Sequence, residues 1–207
     1  TNIAGAHFKN FNTLKDIAKA KAEIINNITK GGNIILNRDD KFFGYLSNKA
    51  KKNEISITSF GLKKKSDIYL MSIKKIKDYF RLKINVKNKF FYFDTKHSTN
   101  NFINNILACI STMFVLNLNL NKMKKKFIDF KIPEGRGDIK IVKKFNKRFK
   151  LIDESYNANL LSMTSAINNM DYYNDNKNHR KLVLLGDMLE LGKKSKKFHR
   201  TLSVIIN

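Results

Sequence analysis

Asp153-Glu154-Ser155-Tyr156-Asn157-Ala158-Asn159 follows three residues, 150–152, whose pattern is typical of a strand. A helix is predicted directly after this segment, with Asn159 or Ser162 as its cap. Residues 181–185 then predict the next buried strand, which leads into Leu185-Gly186-Asp187-Met188-Leu189-Glu190-Leu191-Gly192. Strand, polar loop, helix, strand and polar loop form a βαβ unit, and such sheets bind ligands beyond their strand ends.

The first part of the chain also alternates between helix and strand. Residues 13–28 have apolar side chains at helical spacing, and 42–51 predict a second helix. Residues 33–36 and 55–60 are short apolar runs that predict strands. This alternation indicates an α/β fold, in which a mostly parallel sheet is covered by helices.

The middle of the chain changes character. Residues 82–86 alternate apolar and polar side chains, and 87–88 can form a turn into the aromatic run 90–93. We therefore expect an antiparallel hairpin element beside the parallel sheet. Residues 101–116 predict a strongly apolar helix, and 121–127 predict a second, basic helix.

A boundary between two domains is predicted near Pro133, the only proline, which begins a Pro-x-Gly-x-Gly loop. Residues 139–142 and 148–152 follow this loop as two further predicted strands, joined by a turn near Asn146. We therefore expect one domain over 1–135 and a second over 136–207.

Composition bounds the class of protein. The chain has 207 residues, of which 42% are hydrophobic, and this is enough for one large or two smaller folded domains. A formal net charge of +24 leaves a basic nucleic-acid-associated protein as an alternative. Against that alternative, lysines are spread along the chain and greatly outnumber arginines. The single cysteine, Cys109, excludes an internal disulfide, fits a reducing compartment and is expected to be a buried apolar residue.

The segments 153–159 and 185–192 together resemble the Mur ligase family, and within it the enzymes that add D-alanyl-D-alanine to the UDP-muramoyl tripeptide of peptidoglycan. Four other segments occur in the family order: 1–8, 17–24, 36–40 and 133–136. The resemblance implies that 1–135 is the C-terminal part of the central, ATP-binding domain. It likewise implies that 136–207 is the N-terminal part of a Rossmann-like C-terminal domain.

The resemblance also implies an activity. Mur ligases of this kind are cytoplasmic and use ATP and Mg²⁺ to form an amide bond between UDP-N-acetylmuramoyl-tripeptide and D-alanyl-D-alanine. We expect a monomer when full length, with no nucleic-acid or membrane partner.

Two residues are implied to bind the metal. Lys21 would be carbamylated by carbon dioxide, because a lysine amine supplies the hard oxygen ligands that Mg²⁺ requires only after such a conversion. The reaction needs a neutral amine, which a partly buried lysine can provide. His7 would be the second ligand. The alternatives are an ordinary helix lysine and an ordinary histidine, and Lys9 departs from the family pattern by placing a positive charge nearby.

Residues before and after the two predicted strands 139–142 and 148–152 are implied to bind the nucleotide. Arg136 would contact the ATP phosphates, and a solvated loop arginine is the alternative. The remaining implied nucleotide contacts are Asp153, Tyr156, Asn157 and Asn159. A turn with a helix cap would explain these residue types equally well, and both interpretations can hold together.

Substrate and adenine contacts are implied elsewhere. Asp187 and Glu190 would face the peptide substrate, although Glu190 could simply cap a helix. Asn105 would contact adenine. The histidine expected upstream of it falls on Asn101, and His97 lies too far away without an insertion. Either the adenine pocket is altered or this register is wrong.

The phosphate-binding sequence Gly-x-x-Gly-Lys-Ser/Thr does not occur in these 207 residues. We therefore expect a fragment of a longer ligase that is inactive by itself. It would lack the UDP-sugar domain, the phosphate loop and the end of the C-terminal domain. An inactive ligase remnant is the alternative.

Overall fold

A computed structural model describes residues 2–4, 11–144, 146–170 and 180–206. The chain divides into two compact units. Lys15–Phe130 makes up most of the first unit, and Lys131–Asn207 makes up most of the second. Within the described residues, no helix has both the length and the apolar character needed to cross a bilayer.

The first unit is built on a five-stranded sheet whose spatial order follows the sequence. Its strands are β1 (Asn33–Asn37), β2 (Ser56–Gly61), β3 (Ile68–Ile76), β4 (Tyr79–Val86) and β5 (Lys89–Thr95). The first three strands run parallel, and β4 pairs antiparallel with both of its neighbours. The predicted mixture of parallel strands and an antiparallel hairpin is confirmed. β3 was not predicted from the sequence.

Three helices belong to this unit: α1 (Leu14–Ala22), α2 (Phe43–Lys52) and α3 (Asn100–Val115). The chain continues after α1 as a 3-10 turn, Glu23–Asn27. The apolar side of α3 packs on the sheet, where Leu107 and Ile110 join a core containing Leu82, Ile84 and Phe93. Cys109 lies on the exposed side of α3, so its expected burial is wrong.

The basic helix expected over 121–127 is wrong. Only a 3-10 turn forms there, Leu120–Met123, and the Asn119 side chain accepts a hydrogen bond from the Asn121 N–H at its start. The carbonyl of Lys124 accepts from the N–H of Asp94 at 2.8 Å, so β5 takes an acceptor that a continuing helix would need. Repulsion among the lysines of this segment also disfavours a helix.

A buried ion pair joins β4 and β5. Asp94 is 1% exposed, and its two carboxylate oxygens accept hydrogen bonds from Nε and Nη2 of Arg81 at 2.7 and 2.9 Å. The two residues are directly opposite each other in the strand register. This forked geometry is the strong form of the arginine–carboxylate interaction.

In the residues that the structure describes, the second unit has a hairpin and two α-helices. Its elements are β6 (Asp138–Lys144), β7 (Lys147–Asp153), α4 (Leu160–Asn169) and α5 (Ser195–Ile206). The strands are antiparallel, and Asn146 has a positive φ at the turn, as predicted. Asn159 caps α4 in a reciprocal capping box with Ser162, which confirms the predicted cap.

The strand expected over 181–185 is wrong, and so is the βαβ unit that it would complete. This segment is irregular, and Leu182 and Leu184 are 76% and 87% exposed. A strand is stable only beside another strand that satisfies its backbone groups. In the described part of the second unit, β6 is the only neighbour of β7 and no third strand is present.

Candidate functional site

Two loops lie side by side at one end of the β6–β7 hairpin: residues 133–138, before and at the start of β6, and 153–159, after β7. The Gly137 N–H donates to the Asp153 carbonyl at 2.7 Å, and the Tyr156 N–H donates to the Gly135 carbonyl at 3.0 Å. These backbone bonds extend the strand pairing into the loops and fix their spacing. The structure thus brings together Arg136, Asp153 and Tyr156, three residues proposed from sequence.

Arg136 stacks on an aromatic ring. Its guanidinium carbon lies 3.9 Å from the centroid of the Tyr156 ring, and both side chains are exposed. Stacking uses the face of the guanidinium and leaves its N–H donors in the plane, directed outward. The pair can therefore offer a pre-oriented cationic fork to an anionic ligand such as a phosphate.

Two adjacent carboxyl groups in the second loop have pKa values shifted in opposite directions. Hydrogen bonding from Ser155 lowers the pKa of Asp153, whose carboxylate accepts the Ser155 N–H at 3.0 Å. Burial raises the pKa of Glu154, and the nearby carboxylates of Asp153 and Asp138 raise it further. Asp153 is therefore the ionised, half-buried acceptor of the site, and Glu154 is the carboxyl group whose charge the fold disfavours.

Glu154→Gln is expected to stabilise the chain at neutral pH. When the pKa of a carboxyl group is higher in the folded state than in the unfolded state, ionisation of that group destabilises the fold. The free energy of unfolding therefore falls as the pH rises through the unfolded-state pKa towards the folded-state pKa. Below its ordinary pKa of 4.5, Glu154 is protonated in both states and the gain should vanish. Urea midpoints measured above and below this pH test the prediction. An unchanged or lower midpoint at neutral pH would show that the carboxylate is not penalised.

The matched control for this change is Glu134→Gln. Glu134 is exposed and its carboxylate lies 3.3 Å from Nζ of Lys140. Removing that charge should not raise the midpoint at neutral pH, because it removes an attraction to Lys140.

Gly135 allows the loops 133–138 and 153–159 to lie close to each other. Its φ is +72°, and a Cβ at this position would lie 2.8 Å from the backbone nitrogen of Tyr156. Gly135→Ala is therefore expected to cost at least about 1–2 kcal/mol for the left-handed conformation alone. Urea unfolding checks this value, with Gly186→Ala as the control, since no atom lies within 4 Å of a Cβ there. Equal stability of the two variants would contradict the described loop packing.

Asn157 and Asn159 have structural roles in this loop. The side-chain Oδ1 of Asn157 accepts from the Ala158 N–H at 2.8 Å, and the Asn159 side chain accepts from the Ser162 N–H at 3.0 Å. The turn-and-cap interpretation therefore holds for both residues. A nucleotide role for them stays a prediction.

The proposed substrate residues lie in a separate loop that precedes α5. Asp187 is 86% exposed, and Glu190 is exposed with a positive φ of 60°. Between and beside them, Met188 and Leu191 are buried. Sequence analysis missed His199, which contacts this loop from α5. Its spacing of four residues from Ser195 on the same helix was the available signal.

The remaining proposed residues belong to other parts of the chain. Lys21 is exposed in the last turn of α1. Asn105 is exposed on α3. His7 lies outside the described residues. His97 is half-buried, 4.5 Å from the Phe102 ring, and burial lowers its pKa.

Residues 2–4, 11–144, 146–170 and 180–206 contain no group of three His, Cys, Asp or Glu side chains that could hold a metal ion. The Lys21 side chain is exposed, and the oxygens of a carbamate formed on its amine would suit Mg²⁺. The described part of the proposed metal site is thus compatible with Mg²⁺ only through a modified lysine.

Comparisons with known proteins agree on the fold. UDP-N-acetylmuramoyl-tripeptide--D-alanyl-D-alanine ligase of Rickettsia prowazekii is 30% identical over 97% of this chain and 43% of the relative. MurF from Acinetobacter baumannii superimposes with a TM-score of 0.82, at 24% identity over 97% of this chain and 42% of that one. MurF ligase from Thermotoga maritima, in complex with ADP, gives 0.80 at 21% identity, over 100% and 45%.

The likeness to these solved structures shows the fold alone, because the identities are below 25%. The chain spans less than half the length of the relatives it matches. A model of the family described as Mur ligase middle domain matches residues 1–113, which is more than half of the chain. The chain therefore belongs to the Mur ligase family.

Proposed function

We propose that this chain is part of an ATP-dependent ligase that adds D-alanyl-D-alanine to UDP-N-acetylmuramoyl-tripeptide during peptidoglycan synthesis. The observation that carries the proposal is the paired loop of the second unit, where Arg136 stacks on Tyr156 beside the ionised Asp153. A cationic fork next to a carboxylate suits a nucleotide, whose phosphates need cations and whose ribose hydroxyls need acceptors. The named activity of the Rickettsia prowazekii relative supports the same conclusion.

The proposed chemistry has two steps. A carboxylate oxygen of the tripeptide attacks the γ-phosphorus of ATP, the bond to the β-phosphate oxygen breaks, and ADP leaves. The amine of D-alanyl-D-alanine then attacks the carbonyl carbon of the acyl phosphate. Inorganic phosphate leaves with the original carboxylate oxygen, and the amine loses a proton. In this scheme Arg136 stabilises the phosphate charge, and Asp153 accepts hydrogen bonds from the ribose.

We also propose roles for the metal-binding residues and for the two units. His7 and the carbamate of Lys21 would hold Mg²⁺, which neutralises phosphate charge when bound. Residues 1–135 would be the C-terminal part of the ATP-binding domain, and 136–207 the N-terminal part of the C-terminal domain. Asn105 would contact adenine, Asn157 and Asn159 would contact the nucleotide, and Asp187 with Glu190 would face the peptide. The enzyme would be monomeric and cytoplasmic.

Arg136→Ala in the full-length ligase tests the role of the paired loop. Removing one preorganised donor of this kind is expected to lower kcat/KM for ATP about 100-fold. ADP release coupled to NADH oxidation measures this value. Arg148→Ala is the control, because Arg148 is an exposed arginine at the other end of the β6–β7 hairpin. Equal activity of Arg136→Ala and wild type would remove Arg136 from the phosphate site.

One specific feature favours the nucleic-acid alternative. At the tip of the β6–β7 hairpin, Lys143 pairs with Arg148 and Lys144 with Lys147 in the strand register. Like charges directly opposite each other destabilise a hairpin, and an anionic polymer would relieve that repulsion. Binding of single-stranded DNA and RNA at low salt, followed by salt titration, tests this alternative. We expect no specific complex, and a tight, steeply salt-dependent complex would support the alternative.

A further inference from the structure

His199, on α5, contacts the loop that contains Asp187 and Glu190. The Met188 N–H points at Nε2 of His199, with 3.2 Å between the two nitrogens. On the other side of the ring, Nδ1 lies 2.9 Å from the carbonyl oxygen of Ser195 and 3.3 Å from its hydroxyl. The imidazole therefore bridges the loop and the first turn of α5.

These partners favour one tautomer of the neutral ring. A backbone N–H can only donate, so Nε2 must be unprotonated to accept from Met188. The proton of the neutral ring is then on Nδ1, where the Ser195 carbonyl can accept it. The nearest Asp187 oxygen is 3.5 Å from Nε2. An unprotonated Nε2 cannot donate to this oxygen, so the Asp187 carboxylate is left for other partners.

The backbone around this contact is fixed at several points. Met188 and Leu191 are each 3% exposed, so the loop is anchored by two buried side chains. Glu190, between them in sequence, has a φ of 60°, a conformation that non-glycine residues adopt only when the surroundings hold it. Asp187 and Glu190 are exposed on this fixed backbone. Polar side chains presented in this way suit ligand binding better than packing.

We propose that His199 is a positioning residue for the peptide substrate. As the Nδ1-protonated neutral tautomer, it holds the Met188 amide and so fixes the loop on which Asp187 and Glu190 are presented. The link to the peptide rests on the proposed ligase function, whereas the tautomer and the loop contact do not.

The first test is spectroscopic and needs no ligase activity. The 207-residue chain has four histidines, so ¹⁵N-histidine labelling with His199→Gln as the assignment control identifies the His199 signals. At a pH where the ring is neutral, we expect a protonated, pyrrole-like Nδ1 and an unprotonated, pyridine-like Nε2. The opposite tautomer, or a Met188 amide resonance that is the same in wild type and His199→Phe, would overturn the proposal.

The second test uses the full-length ligase and compares His199→Gln with His199→Phe. The glutamine oxygen can accept near the Nε2 position, whereas phenylalanine keeps a ring and removes the acceptor. We expect His199→Phe to raise the KM of a peptide substrate about tenfold with little change in kcat or in the KM of ATP, and His199→Gln to restore most of the loss. Equal kinetics of both variants, or a loss confined to kcat, would overturn the positioning role. An inactive wild type would instead refute the ligase function.

Discussion

Replacing Lys21 by alanine in the full-length ligase is expected to lower the rate of ADP release at least about 100-fold, the scale for removing a group that stabilises transferring phosphate. Alanine cannot form a carbamate, so the Mg²⁺ site would lose an anionic oxygen ligand. The exposed position of Lys21 at the end of α1 makes a structural cost of this substitution small. Steady-state ADP release with both substrates at saturation measures the effect.

Lys19→Ala provides the matched control. Lys19 is also exposed in the last turn of α1, and its loss removes the same charge from the same helix. We expect the Lys19 variant to keep wild-type turnover. Carbon-13 NMR with labelled bicarbonate should show a carbamate signal that disappears in Lys21→Ala and persists in Lys19→Ala. Wild-type turnover by Lys21→Ala would refute the assignment of Lys21.

The largest effect on stability is expected at the ion pair between β4 and β5. In Arg81→Leu, the carboxylate of Asp94 would stay buried without a partner, which typically destabilises a fold by about 3–5 kcal/mol. The Arg81 side chain is 34% exposed, whereas that of Asp94 is 1% exposed. The cost of losing the pair therefore comes mainly from the buried, unpaired carboxylate of Asp94. Urea unfolding of the 207-residue chain, followed by circular dichroism, measures the loss.

A second substitution separates loss of the pair from loss of packing. Asp94→Leu in the Arg81→Leu background removes the unpaired charge, and we expect it to recover much of the lost stability. Lys30→Leu is the control, because its pair with Glu54 is exposed and should contribute less than about 1 kcal/mol. If Arg81→Leu were no more destabilising than Lys30→Leu, the buried ion pair would not be a source of stability.

Local sequence signals predicted the elements that depend on neighbouring residues. The turn at Lys87 and Asn88 was predicted from a polar pair between alternating strands, and both residues have the positive φ that such a hairpin requires. The cap of α4 was predicted from Asn159 and Ser162, three residues apart. In both cases the interacting groups are so close in sequence that spacing alone determines the contact.

Contacts between distant residues were not predicted. The pairing of Arg81 with Asp94 depends on the strand register of β4 and β5, which the sequence pattern defines only approximately. Residues 181–185 have the apolar pattern of a strand, but a strand also requires a partner, which the pattern does not contain. His199 was missed for a similar reason, since its contact with Met188 spans eleven residues across a loop.

Isotope transfer from the substrate carboxylate tests the proposed ligase function most directly. UDP-N-acetylmuramoyl-tripeptide labelled with ¹⁸O in its reacting carboxylate would be incubated with the full-length ligase, ATP and D-alanyl-D-alanine. Because the carboxylate oxygen bridges to phosphorus in the acyl phosphate, we predict that mass spectrometry will find ¹⁸O in the inorganic phosphate released with each new amide bond. Amide formation with unlabelled phosphate, or no amide product at all, would contradict the proposed function.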